Sequence, residues 1–145
     1  MRAAGLLVAS LCILASGTAC ELFEDPTPNE VRVVIDGDAG ATVRVVKSTA
    51  FVAGVNNLGV TRVEIIVSDT AAATLPFQGT YGISGDYQFF VEVSRMDADI
   101  ANFRMRVYVD QDKEFDHGGI LIPGGPYRFL YQFNRFFTDV LEVVF

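Results

Sequence analysis

From Val31 to the end of the chain, apolar side chains recur at every second position, and this period most limits the folds open to the sequence. Val63, Ile65 and Val67 alternate with Arg62, Glu64, Ile66 and Ser68. Tyr87, Phe89, Val91 and Val93 alternate with Gln88, Phe90, Glu92 and Ser94. The cleanest run sets Ala101, Phe103, Met105, Val107 and Val109 against Asn102, Arg104, Arg106, Tyr108 and Asp110, and Tyr127, Phe129, Tyr131 and Phe133 repeat the pattern. Successive side chains of a strand point to opposite faces, so each run carries one apolar and one mostly polar face. No segment sustains a helical period.

Strands are therefore expected at about 31–36, 42–48, 61–68, 74–83, 86–94, 100–110, 127–134 and 138–145, separated by turn residues such as Asp36-Gly37-Asp38-Ala39-Gly40 and Pro123-Gly124-Gly125-Pro126. Strands with one buried face pack best as two antiparallel sheets face to face. The expectation is an all-β chain: an antiparallel β-sandwich over residues 31–145, immunoglobulin-like or related, of about 7–8 strands. The chain has no Trp, and Cys12 and Cys20 both precede this region, so the antibody-type core hallmarks are missing. Most of these strands are too short for a membrane barrel. Arg104 and Arg106 share an outward face, which in lipid would cost about 2–4 kcal/mol each at the bilayer midplane.

The first thirty residues are of another kind. Met1-Arg2 gives a positive start, Leu6 to Ala15 an apolar run, and Ser16-Gly17-Thr18-Ala19 a small-residue exit before Cys20. The apolar run falls short of the ~20 residues a permanent spanning helix needs, and the whole reads as a cleavable export signal. Gly17-Thr18-Ala19-Cys20 resembles the lipobox of bacterial lipoprotein precursors, with Gly17 in place of the common Leu. The resemblance covers residues 1–20 only. It implies removal of residues 1–19, diacylglycerol transfer to the Cys20 sulfur, and acylation of the new amino group. It also implies a lipid-anchored protein of the cell envelope. With Glu21 after the cysteine rather than Asp, placement is at the outer membrane or facing the periplasm in a two-membrane bacterium. With Cys12 discarded, Cys20 has no partner for a disulfide, which suits an attachment point. Two or three acyl chains anchor firmly where one holds marginally, since each buried CH₂ contributes ~0.8 kcal/mol. Residues 20–30, with Pro26, Pro28 and four acids, read as a tether of at most ~35 Å.

The formal charge of −7 argues against a nucleic-acid partner, which would need clustered Lys and Arg. Acids at every second position, Asp110, Asp112, Glu114 and Asp116, make a candidate calcium loop, because carboxylates suit hard cations. It is not an EF-hand: Phe115 stands where the turn glycine belongs and Leu121 where the last acid belongs. The alternative is a solvated acidic loop. If successive strands reverse, the 36–40, 69–73 and 95–99 loops share one end and bring Asp36, Asp38, Asp69, Asp97 and Asp99 near each other.

Catalytic signals are sparse. His117, the single histidine, precedes Gly118-Gly119 and is expected in a turn. Gly82-Ile83-Ser84-Gly85-Asp86 only approximates a nucleophile elbow and lacks a following helix. Phe90 and Leu130 point away from the expected core and would lie under a covered sheet face or form a partner patch. The reading is a membrane-anchored envelope lipoprotein whose β-sandwich binds or scaffolds a protein or other envelope component, without catalysis and with calcium the one cofactor suggested. The alternatives are a small exported hydrolase using acidic loop residues, or a calcium-dependent binding module.

Overall fold

A computed structural model describes residues 27–55, 57–58, 61–83, 85, 87–134 and 137–144. The leader, Cys20, most of the tether, Ser84, Asp86, Phe136 and Phe145 lie outside the described residues.

The alternation is realised as strands: β1 (Glu30–Gly37), β2 (Thr42–Val55), β3 (Thr61–Thr74), β4 (Phe77–Gly82), β5 (Gln88–Arg95), β6 (Ala101–Val109), β7 (Asp112–Leu121), β8 (Tyr127–Asn134) and β9 (Phe137–Val144). Sheet A has the order β4-β1-β6-β7 and sheet B the order β3-β2-β5-β8-β9. Every pairing between neighbours is antiparallel. The two sheets form a β-sandwich, as the period-two pattern predicts.

Its core comes from the inward positions of both sheets. Val31, Val33 and Ile35 of β1, Val43 and Val45 of β2, and Phe89, Val91 and Val93 of β5 are buried in one cluster. Phe103, Met105 and Val107 of β6, with Phe129 and Tyr131 of β8, complete it. Each fully buried side chain of this size contributes roughly 1.5–3 kcal/mol before chain entropy is counted. Gly37 is needed where it stands: a β-carbon there would strike the Asn102 carbonyl and the Leu75 side chain.

Two parts differ from the sequence expectation. The acidic stretch is a strand, not a loop: residues 112–121 form β7, paired with β6 from Ala101↔Leu121 to Val109↔Asp112. Phe115 and Leu121 are buried on its inner face, and a register shift between Val107 and Tyr108 absorbs the extra residue beside Glu114. Acids on three alternate positions hid a half-buried strand, and at the edge of a sheet such charges blunt unwanted strand pairing. The count is thus nine strands among the described residues.

The second difference is the length of β2 and β3. Pairing of β2 with β5 stops at Ser48↔Phe90, whereas pairing with β3 continues to Val55↔Thr61, with register shifts at Lys47–Ala50 and Ala50–Phe51. Past this bulge, β2 and β3 form a two-stranded arm. The Ser48 hydroxyl donates to the Val67 carbonyl (2.6 Å) and accepts the Ala50 N–H (3.1 Å), satisfying the backbone the bulge leaves unpaired. Phe51 packs with Phe90 and Leu130 in a second buried cluster, with Ala53 and Val63 against it. Phe90 lies between Phe89 and Val91, which face the main core, so this cluster sits on the outer face of sheet B and the arm folds across it. Gln88 fixes the fold: its Nε2 donates to the Thr49 and Phe51 carbonyls (3.3 and 3.0 Å), and its Oε1 accepts from Gln132 (3.3 Å).

Candidate functional site

The arm's departure opens the sandwich. Where β3 and β4, the edge strands of the two sheets, separate, a cleft of about 630 Å³ lies between Lys47, Ser48, Val67 and Asp69 on one side and Thr80 and Tyr81 on the other. Phe89 forms its floor. The Tyr81 ring stacks on Phe89 with centroids 5.7 Å apart. Gly79 leaves room for the Tyr81 hydroxyl, which a β-carbon there would strike. Lys47 closes the other face: its Nζ lies 4.4 Å from the ring centroid and 3.0 Å from Asp69 Oδ2. Such a cation over a ring is worth about 0.5–1 kcal/mol at an exposed site.

Burial raises the Tyr81 pKa above that of a free phenol; the Lys47 ammonium opposes the shift and Asp69 adds to it. Tyr81 therefore keeps its proton and serves as a hydrogen-bond donor at neutral pH. Exposed Ile65, Ile66 and Val67 continue the rim along β3, the outermost strand of sheet B. An apolar floor, a few polar groups of both signs and an open strand edge are the components of a binding site. Histidine chemistry is not brought here, because His117 sits on β7, at the far edge of sheet A from β4. His117 packs instead between Phe115 (6.1 Å) and Tyr127 (5.4 Å) on a strand rather than in a turn.

The chain matches no protein-family model and no curated protein. Its site is read from its own residues.

Of the sequence-predicted residues, Cys20 lies outside the described residues, and the four acids are distributed rather than gathered. Asp110 occupies the β6–β7 turn with φ 53°, and its Oδ1 accepts the N–H groups of Asn29 and Glu30 (3.0 and 3.1 Å), tying down the start of β1. Asp116 accepts from Arg104 Nε (2.6 Å) and Nη2 (3.0 Å) and from Lys113 Nζ (2.8 Å). The 36–40 and 95–99 segments do share one end of the sandwich, but Asp69 lies within β3, paired with Lys47. Asp36 pairs with Arg106, Asp38 accepts the Asn102 N–H (2.8 Å), and Asp97 pairs with Arg95. Among the described residues, no group of three or more His, Cys, Asp or Glu side chains is placed to share a metal ion.

Lys47 and Tyr81 were not singled out by sequence, and Asp69 was named only as one of five loop acids expected to share one end of the sandwich. The available signal was Lys47 itself, a charge on the face that carries Val43 and Val45, where alternation asks for an apolar residue.

Hydrogen bonds from Arg104 and then Lys113 hold the Asp116 carboxyl well below the usual carboxylate range. A depressed folded-state pKa stabilises the native state above the unfolded pKa of about 4, and this contribution is lost as pH falls toward the folded value. In Asp116→Asn, the urea midpoint should therefore lie below wild type at pH 6 and the gap should narrow between pH 4 and pH 2. A gap of constant size across that range would contradict this assignment.

Proposed function

We propose that this chain is a cell-envelope lipoprotein, held in the membrane by acyl chains on Cys20, whose β-sandwich is a binding module for a protein or other envelope component. The observation that carries the binding reading is the β3–β4 cleft. Its aromatic floor, Lys47–Asp69 pair and Tyr81 hydroxyl lie beside an apolar strand edge that is unpaired among the described residues, an arrangement suited to holding a ligand. The lipobox resemblance carries the anchoring, and the tether supplies the reach. The start of β1 lies beside the β6–β7 turn, and Glu30 pairs with Gly82 of β4 at the lining of the cleft.

One experiment in intact cells tests both halves. Cells fed a labelled fatty acid should label the wild-type protein and leave Cys20→Ser unlabelled. A photo-crosslinking side chain at Ser68, in the cleft, should capture a discrete partner that the same probe at Gln111, in the β6–β7 turn, does not. Equal labelling of Cys20→Ser would defeat the anchor. Crosslinks that are the same from both positions would defeat the cleft as the binding surface.

A further inference from the structure

The hydrogen bonds around β2 settle which way the backbone of β3 points. The Thr42 carbonyl accepts the Met96 N–H at 3.3 Å, on the β5 side, and the carbonyl of its neighbour Ala41 turns the other way to accept the Leu75 N–H at 2.9 Å. The Val67 carbonyl also turns toward β2, where the Ser48 hydroxyl donates to it at 2.6 Å. The register of β2 on β3 is unbroken from Thr42↔Thr74 to Lys47↔Asp69. A residue of an antiparallel strand bonds a given neighbour at every second position. Asp69, Ala71 and Ala73 therefore bond toward β2, and the N–H and C=O groups of Ser68, Thr70 and Ala72 point away from it. β3 is the outermost strand of sheet B, and among the described residues no strand receives these groups.

This edge is also unguarded. Sheet A ends on β4, only 6 residues long, and on β7, which carries Asp112, Lys113, Glu114 and Asp116. Short or charged edge strands discourage the addition of a further strand. From Val67 to Ala73, by contrast, β3 has neither Pro nor Gly and a single charge, Asp69, which its own Lys47 pairs at 3.0 Å. Asp69 and Ala71 share the face of Ala73, which packs against the main core, yet both are exposed, so the sandwich is open along this side. A row of outward amide donors and acceptors on an extended strand is matched by another extended backbone.

We propose that β3 pairs with β3 of a second copy of this chain, antiparallel about a twofold axis at Thr70, giving one continuous sheet across two molecules. The proposal deepens the reading of the β3–β4 side as a binding surface by naming its partner, and it rests on that reading. The stretch is its own match. Centring on Thr70 sets Ser68 opposite Ala72, Asp69 opposite Ala71 and Val67 opposite Ala73, and the outward groups of Ser68, Thr70 and Ala72 then bond one another. Such a contact uses the same patch on both molecules and closes at a dimer. Threonine pairs across strands are favourable and like charges directly opposite are not. No two carboxylates of the stretch face each other in this register, whereas an axis at Asp69 would oppose them. Val67, Ser68 and Asp69 line the β3–β4 cleft, so the added strand would border the cleft and lengthen its wall.

Cysteine crosslinking in intact cells tests the register. Thr70→Cys should form an intermolecular disulfide on mild oxidation, because opposed residues of a bonded pair have Cα atoms about 5.5 Å apart, within disulfide reach. Ser68→Cys and Ala72→Cys should each give little dimer alone and give it when expressed together. Gln111→Cys, in the β6–β7 turn, should stay monomeric. For the mature protein in detergent micelles, sedimentation equilibrium should fall from twice the chain mass to once in Thr70→Pro, which lacks the outward N–H. That N–H makes no bond to β2, so circular dichroism should keep the wild-type sheet signal. Thr70→Lys, which opposes two ammonium groups and leaves the backbone unchanged, should give the same fall. A photo-crosslinking side chain at Thr70 separates the partner from the surface. A product of twice the chain mass supports the second copy. A product with a different protein overturns the second copy and leaves this side a binding surface. No product from Thr70, no disulfide from Thr70→Cys, or an equal disulfide yield from Gln111→Cys would overturn the proposal, with the crosslink from Ser68 still deciding the binding reading.

Discussion

Phe89→Ala should lower the unfolding free energy by about 3–5 kcal/mol, the range for truncating a fully buried aromatic side chain. A domain of this size has only ~5–15 kcal/mol in total, so the variant should unfold at a much lower urea concentration than wild type. Phe89 is 1% exposed. It pairs with Tyr131 across the β5–β8 ladder, stacks on Tyr81 from the other sheet and floors the cleft. Alanine removes the floor and the stacking partner together. Part of the void opens to the cleft and takes up water, so the cost belongs near the lower end of the range. Water in the cleft also removes the desolvation that raises the Tyr81 pKa. The phenol absorbance titration of Tyr81 should therefore move down toward the ordinary tyrosine value in Phe89→Ala, and remain raised in Phe89→Leu. A loss below ~1 kcal/mol would place Phe89 outside the cooperative core.

What could be read from the sequence divides along a physical line. Period-two alternation depends on one buried and one wet face, and it located β1, β5, β6 and β8, in the middle of their sheets, to within about two residues, and the edge strand β9 to within one. The other edge strands have weaker patterns. In β7 only Phe115 and Leu121 are buried hydrophobics, and the acids between them looked like a loop. The arm failed differently. Past the bulge at Ser48–Ala50 both faces of β3 are partly wet, and Ile65, Ile66 and Val67 are all exposed, so alternation carried no register. Its endpoint at Ser68 followed from Asp69, which reads as a turn residue and is instead the partner of Lys47. The covering of Phe90 and Leu130 was anticipated as one of two outcomes, but the element that covers them was not. Whether sheet B is capped by its own hairpin depends on a fold-back that the local sequence does not encode. The cleft was not legible for the same reason: Lys47 and Asp69 are far from Tyr81 in sequence and meet only because the arm departs between them.

Phe90→Ala tests that fold-back, and its effect should be concentrated in one place. Phe90 is 2% exposed and faces Phe51 with ring centroids 6.1 Å apart, over Leu130, which is wholly buried. The transfer and cavity terms are again about 3–5 kcal/mol. Here they fall on a two-stranded arm, and an isolated hairpin is at best marginally stable in water. What remains to hold the arm is the contact of Phe51 with Leu130 and two bonds from Gln88 to carbonyls at its base. Neutral hydrogen bonds of that kind contribute only about 1 kcal/mol each. The arm should open as a local unit before the sandwich does. Native-state hydrogen exchange should show amides at 51–55 and 61–67 losing roughly 100-fold of their protection, the factor that about 3 kcal/mol implies. Amides of Val33 and Met105, in the centre of sheet A, should keep most of theirs. Proteolysis should cut within the arm first, leaving the remainder of the chain resistant. Equal loss of protection in the arm and in sheet A would mean that the arm and the sandwich unfold as one body. Sheet B would then be stabilised through Phe90 as a layer of the main core rather than as the seat of a separately docked hairpin.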